Sequence, residues 1–196
     1  MRIWSSLAAL SLASGVVLYG QTVPRPAGEF AITMADGSQT LLSHYAGKVV
    51  VLAFISTTCP HCQHTTGVLS EIQNEYAAKG VQILGCAFNP DAPTLLPGFL
   101  AQFKPAFPVG TASRDAVYEF EQASLAKVNY VPELLFIDRK RVVRAQYGGA
   151  DDFLKEQEKN IRGQLDTLLK EPVATSKSHG THKTSSAPVA SAHKPA

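Results

Sequence analysis

The sequence is poor in cysteine, and this scarcity restricts what the chain can be. Its 196 residues include only three cysteines, Cys59, Cys62 and Cys86. Because this number is small and is not even, it excludes a framework of structural disulfides. Two cysteines close together and one alone instead suit a redox pair and a single buried thiol.

The central part of the chain also lacks an excess of basic charge. The formal net charge of +2 arises at the two ends, which carry Arg2, Lys177, Lys183 and Lys194. Residues 21–171 hold 14 basic and 16 acidic side chains. No basic patch therefore predicts nucleic-acid binding. A hydrophobic content of 45% suits one globular domain with extensions.

One long hydrophobic run is present, and it lies at the N-terminus. Arg2 precedes an uncharged, mostly apolar stretch from Ile3 to Tyr19, which is typical of a secretory signal peptide cleaved after Gly20. The alternative is an uncleaved membrane anchor, although about 20 apolar residues are needed to span a membrane. Both interpretations of residues 1–20 place the domain outside the cytoplasm, where disulfides persist. No cysteine directly follows this apolar run, so a lipid anchor is not expected.

The C-terminal segment, residues 172–196, has almost no large apolar side chain. It consists mainly of Ala, Ser, Thr, Lys, His and Pro. Such a composition cannot bury enough surface to offset the entropy of ordering, so we predict a disordered tail. The folded domain is expected to span residues 21–171.

The pattern of this domain is that of an α/β fold. Alternation over residues 30–34 and the turn Asp36-Gly37 predict an N-terminal β-hairpin. The apolar runs Val49–Ile55 and Val81–Phe88 predict strands buried on both faces. A helical pattern between them ends at Gly80, so this strand–helix–strand unit should form a right-handed parallel crossover.

The later segments predict a mixture of short helices and strands. We expect a helix over Leu95–Phe103 and a helix over Asp115–Lys127. Phe107–Val109 is expected to be an edge-like strand, because proline is poorly tolerated in a central one. Further predictions are an antiparallel pair, Leu134–Ile137 with Val142–Tyr147, and a last helix from Asp151 that ends at Pro172.

The residues Cys59-Pro60-His61-Cys62 follow the first buried strand directly. Pro60 suits the first position of a helix, and the helix N-terminus favours a thiolate on Cys59. His61 can add a cation or a hydrogen-bond donor. We therefore predict that Cys59 is the nucleophile, that Cys62 resolves the mixed disulfide, and that Pro60 and His61 modulate the pair.

The stretch from Gly28 to about Leu169 resembles the thioredoxin-like superfamily, in particular its extracytoplasmic TlpA/AhpC-TSA-type members. Four segments carry the resemblance: 42–51, 54–62, 80–85 and 131–138. The resemblance implies a three-layer sandwich in which a central mixed sheet is flanked by helices.

The resemblance also implies a substrate site. The Val131–Pro132 bond would be cis, Pro132 would pack beside the cysteines, and the Val131 backbone would pair with an extended substrate. The expected partners are protein thiol or disulfide substrates and a redox partner. No cofactor and no resident metal are expected, and the chain is expected to be a monomer.

The sequence departs from the common pattern of the family's reducing members at three positions, and from typical thioredoxins at a fourth. Thr58 replaces a Trp, Thr65 a Glu and Gly67 a Pro, and Ala53 occupies the place of a buried acid in typical thioredoxins. The inner dipeptide Pro-His is that of strongly oxidising periplasmic oxidases. The scaffold thus resembles a reductase while the motif resembles an oxidase, and the direction of electron flow stays open.

Two other functions use the same residues. A copper or zinc chaperone would bind metal through Cys59 and Cys62 with His61 or His64. A thiol peroxidase would use Cys59 as the peroxidatic cysteine, with Cys86 or Cys62 resolving. Cys86 itself is expected to be a buried hydrophobic residue, since it lies within a strand pattern.

Overall fold

The computed structural model describes residues 22–123 and 130–171. The predicted signal or anchor segment, 1–20, and the predicted tail, 172–196, lie outside these residues. The strands in the described part are β1 (Arg25–Pro26), β2 (Ala31–Thr33), β3 (Gln39–Leu41), β4 (Val49–Ile55), β5 (Val81–Ala87), β6 (Val109–Thr111), β7 (Glu133–Ile137) and β8 (Val142–Tyr147). The α-helices there are α1 (Pro60–Tyr76), α2 (Ala92–Phe103), α3 (Arg114–Glu121) and α4 (Gln157–Leu169).

The strands form one mixed sheet in the order β1-β8-β7-β4-β5-β6-β2-β3. β4 and β5 are parallel neighbours joined by α1, as the strand–helix–strand pattern predicts. β7 and β8 are antiparallel, and β2 pairs with β3 as the expected hairpin. Gly37 allows the hairpin turn because it has a φ of 83°, a conformation that glycine adopts without steric cost.

The sheet separates two hydrophobic cores, which gives three layers. Side chains of α1, α2 and α4 pack on one face of the sheet, and side chains of α3 pack on the other. Because successive strand residues point to opposite faces, Val49, Val51 and Ala53 join the first core while Leu52 and Phe54 join the second. The predicted thioredoxin-like sandwich is confirmed.

Two predictions were wrong at segments that contain proline. α2 begins at Ala92 rather than Leu95, because Pro93 lies in the first turn, where no backbone N–H is needed. The predicted edge-like strand lies instead between β5 and β2. It begins at Val109, so Pro108 precedes the strand and removes no hydrogen bond from its interior.

Two predicted helices have different bounds. α3 ends at Glu121, where Gln122 adopts a left-handed conformation with φ 56°. Residues 124–127 of the predicted Asp115–Lys127 helix lie outside the described part. The last helix begins as a 3₁₀ turn over Asp152–Glu156 and continues as α4, which ends before Pro172. Neither described range contains a helix with the length and apolarity needed to span a membrane.

Candidate functional site

The two cysteines of the motif lie close together at the junction between β4 and α1. Cys59 is the N-cap of α1 in an extended conformation, and Pro60 is its first residue, as predicted. Cys59 is partly exposed, whereas Cys62, one turn further along, is fully buried. Both are free thiols, and they lie 3.3 Å apart. One thiol is thus open to a partner, and the other lies directly behind it.

The turn before the motif contacts both cysteines. The Ser56 backbone N–H donates to the Cys62 sulfur at 3.4 Å. The carbonyl oxygen of Ser56 accepts a hydrogen bond from the Cys59 N–H at 3.2 Å. Ser56 therefore links the half-exposed and the buried cysteine through its two backbone groups.

Burial dominates the electrostatics of Cys62. It raises the pKa of the Cys62 thiol far above its ordinary value, and the adjacent Cys59 acts in the same direction. The Ser56 N–H opposes this shift, because a hydrogen bond to sulfur stabilises the thiolate. Cys62 is consequently a protected thiol.

The loop before β7 lies against the motif. The Val131–Pro132 bond is cis, as the resemblance implies. Cys59 Sγ lies 3.9 Å from the carbonyl oxygen of Val131, and Pro132 is buried. The predicted substrate-binding residues Val131 and Pro132 are therefore beside the predicted nucleophile.

A groove opens next to this loop, with a volume of about 230 Å³. The residues that line it include His61, His64, Pro132, Ala150, Asp151 and Leu154. His61 and His64 are exposed. Across the described ranges, no cluster of three or more Cys, His, Asp or Glu side chains is arranged to hold a metal ion.

The positions that depart from the pattern implied by the resemblance also have defined environments. Thr65, in place of the expected Glu, is buried and donates to Gln157 Oε1 at 2.8 Å. Ala53 lies in the same hydrophobic core as Cys62. Thr58 and Gly67 are exposed on either side of the motif. The two positions where the resemblance implies acids are thus filled here by a hydroxyl and a methyl group.

The third cysteine lies on the other side of the sheet. Cys86 is fully buried in the core that α3 covers, whereas Cys62 belongs to the opposite core. Burial raises the pKa of the Cys86 thiol well above its ordinary value. Cys86 is a buried hydrophobic residue, as expected, and the sheet separates it from the Cys59–Cys62 pair.

A buried polar network below the Val131–Pro132 loop was missed from the sequence. Gln146 on β8 donates to the Glu133 carboxylate and accepts from the Arg25 guanidinium at 2.8 Å. Arg25, Glu133 and Glu121 are all buried. Burial raises the pKa of Glu133, although Gln146, Glu121 and Arg25 each act to lower it. The available signal was an acid directly after Pro132, at the start of an apolar run.

Comparisons with known proteins found similar sequences. Residues 19–165 match the Redoxin family. The chain is 30% identical over 129 residues to the thiol-disulfide oxidoreductase ResA of Geobacillus kaustophilus, covering 65% of this chain and 68% of that protein. It is 31% identical over 121 residues to ResA of Halalkalibacterium halodurans, covering 55% and 67%.

A solved structure supports the fold. The thiol:disulfide interchange protein of the thioredoxin family from Chlorobium tepidum superposes with a TM-score of 0.63 at 20% identity. The match covers 76% of this chain and 99% of that one.

Proposed function

Because this chain belongs to the Redoxin family and is a thioredoxin-like thiol–disulfide oxidoreductase, we propose that it exchanges disulfides with protein thiols outside the cytoplasm through Cys59-Pro60-His61-Cys62. The observation that carries this proposal is the asymmetry of the pair. A half-exposed thiol at a helix N-terminus lies 3.3 Å from a fully buried one. Only the first can meet a large substrate, and only the second is held in position to resolve the product.

The reaction follows from this arrangement in two exchanges. In the reducing direction the Cys59 thiolate attacks a substrate disulfide, forms a Cys59–substrate disulfide and releases one substrate thiolate. The Cys62 thiolate then attacks Cys59 Sγ, which forms the Cys59–Cys62 disulfide and releases the second thiolate. The oxidising direction is the reverse, in which a substrate dithiol loses two electrons to the Cys59–Cys62 disulfide.

Two neighbouring groups fit the remaining roles. The Val131 carbonyl, 3.9 Å from Cys59 Sγ, is suited to pair with the backbone of an extended substrate segment. The exposed His61 can stabilise negative charge at the motif by donating a hydrogen bond. The redox partner is a second protein that restores the pair after each cycle.

Activity assays on single-cysteine variants test the proposal. Cys59→Ser should abolish both insulin reduction and oxidative refolding of a reduced substrate protein. Cys62→Ser should accumulate a covalent Cys59–substrate disulfide, seen as a band that disappears with reductant. Cys86→Ala is the matched control and should keep both activities. Retention of either activity by Cys59→Ser would contradict the proposed nucleophile.

The same preparations test the other functions. Rapid peroxide consumption that depends on Cys59 would favour a thiol peroxidase instead. Stoichiometric copper or zinc uptake by the reduced protein, lost when both motif cysteines are replaced, would favour a metal chaperone.

The location is tested separately by expressing the full chain in a bacterial host. Fractionation should find the protein outside the cytoplasm. A variant that lacks residues 1–20 should stay in the cytoplasm.

A further inference from the structure

We propose that Asn89 is a positioning residue for the resolving step, because its side chain holds the turn that directs the Ser56 N–H at the Cys62 sulfur. The inference rests on the proposed role of Cys62 as the resolving cysteine. Asn89 follows β5 in sequence and is remote from the motif along the chain.

Asn89 binds the residue that follows Ser56. The Thr57 backbone N–H donates to Asn89 Oδ1 at 3.0 Å, and Asn89 Nδ2 lies 3.0 Å from Thr57 Oγ1. On its other side, the Thr57 carbonyl oxygen accepts from Gln63 Nε2 at 2.9 Å. Thr57 is only 5% exposed. Both faces of this residue are therefore hydrogen-bonded to side chains from elsewhere in the fold.

The sheet makes this attachment rigid. Ile55 and Ala87 are paired across the parallel strands β4 and β5, so the two strands end side by side. The Phe88 N–H donates to the Ile55 carbonyl at 3.2 Å and extends the pairing. Directly beyond this hydrogen bond, the side chains of Asn89 and Thr57 contact each other. They fix the beginning of the Ser56–Thr58 turn to the end of the neighbouring strand.

The turn held in this way carries a backbone donor to Cys62 Sγ, the Ser56 N–H at 3.4 Å. Cys62 must become a thiolate to resolve the mixed disulfide, and its complete burial opposes that charge. A preorganised N–H directed at the sulfur stabilises the charge as it develops. Without Asn89 the donor would lose its fixed position, while Cys59 would keep its place at the N-terminus of α1.

A coloured aromatic disulfide, 5,5′-dithiobis(2-nitrobenzoate), separates the two steps. The Cys59 thiolate attacks it and releases one coloured thiolate, which leaves Cys59 joined to the other aromatic thiol. The Cys62 thiolate then attacks Cys59 Sγ, forms the Cys59–Cys62 disulfide and releases the second coloured thiolate. Stopped-flow absorbance of the reduced full chain resolves the two releases.

Asn89→Ala should slow the second release by about tenfold, the factor expected when a hydrogen bond to a charged sulfur is lost. The first release should change by less than about twofold, a difference smaller than one neutral hydrogen bond. The pH dependence of the second release should also move to higher pH. Gln82→Ala is the matched control, because it removes a side-chain hydrogen bond to backbone at the opposite end of β5.

The outcomes are distinguishable. An unchanged second release in folded Asn89→Ala would overturn the positioning role, and so would equal slowing of both releases. Thr57→Val removes only the hydroxyl contact and should slow the second release by a smaller factor, which decides the matter if Asn89→Ala does not fold. Failure of the proposed function is a different result, in which wild type and Cys59→Ser release thiolate at the same rate.

Discussion

The Gly149 backbone N–H donates to the carbonyl oxygen of Tyr130 at 2.6 Å, which joins the segment after β8 to the residues before Pro132. The two backbones are so close that a side chain at Gly149 has no room. A Cβ there would lie 2.7 Å from the Val131 oxygen and 2.8 Å from the Tyr130 oxygen. The loop that faces Cys59 thus depends on a glycine in another part of the chain.

Gly149→Ala should displace the Val131 loop and impair both stability and activity. We expect a loss of about 1–3 kcal/mol in the free energy of unfolding, the usual cost of overpacking. The value of kcat/KM for a protein substrate should fall because the Val131 carbonyl moves away from Cys59. Urea unfolding and insulin reduction measure the two effects.

Gly148→Ala is the control for this change. A Cβ at Gly148 would lie 3.6 Å from the Tyr130 oxygen, an ordinary contact. Its stability and activity should stay close to those of wild type. Equal behaviour of the two alanine variants would show that the close approach at Gly149 does not determine the position of the loop.

Alkylation of the native reduced protein should modify one cysteine. Cys59 is partly exposed, while Cys62 and Cys86 are fully buried with pKa values raised by burial. Iodoacetamide at pH 8 should therefore add one adduct, on Cys59, and three adducts after unfolding in urea. Mass spectrometry of peptides measures this. Rapid labelling of Cys62 in the folded protein would contradict the protected state.

The same asymmetry predicts a pH dependence for Cys62 alone. In Cys59→Ser the slow labelling of Cys62 should keep rising with pH beyond the range where an ordinary thiol has ionised. The reason is that burial keeps the proton on Cys62. Half-maximal labelling at about pH 8.5, as for a free thiol in water, would contradict this expectation.

The core of the fold was predictable because its signals are local. Val49–Ile55 is an uninterrupted apolar run, and Val81–Ala87 is apolar apart from Gln82. The cysteine motif lies between a strand and a helix by sequence adjacency alone. Prolines caused two of the errors. Pro93 and Pro108 lie at positions that need no backbone donor, and this depends on exact helix and strand ends that the sequence pattern does not define.

The supporting residues of the site were not predictable for a different reason. Asn89 meets Thr57 only because β4 and β5 end at the same level of the sheet. Arg25 reaches Gln146 only because β1 pairs with β8. Both contacts follow from long-range topology, so no spacing in the sequence encodes them.

Glu133 should make stability depend on pH in a defined direction. Burial raises the pKa of this carboxyl above its ordinary value of 4.5, so the folded state holds the proton more tightly than the unfolded state. Its contribution to stability is therefore fully present below about pH 4.5 and is lost as pH rises through the folded-state value. The groups that face it are Arg25, Gln146, Glu121 and Asp151.

Glu133→Gln cannot titrate, so its stability relative to wild type should increase with pH above about 4.5. The slope is at most about 1.4 kcal/mol per pH unit for one proton. Urea unfolding from pH 4.5 to 8 measures it. Gln82→Ala removes no titratable group and should differ from wild type by a constant amount. A constant difference for Glu133→Gln as well would refute the raised pKa.

The reduction potential of the Cys59–Cys62 pair should lie nearer the oxidising end of the thioredoxin-like range, about −120 mV, than the reducing end, about −270 mV. The reasons are the exposed His61 inside the motif and the replacement of acids by Thr65 and Ala53. Stabilising the Cys59 thiolate stabilises the dithiol form and so makes the disulfide a stronger oxidant.

His61→Ala should shift the potential of the pair to a more negative value. Each tenfold change in the equilibrium constant for exchange with glutathione corresponds to about 30 mV. His64→Ala, which removes an exposed histidine of the same helix outside the motif, should leave the potential nearly unchanged. Equilibration with glutathione buffers measures all three proteins, and equal shifts in the two histidine variants would remove His61 from its modulating role.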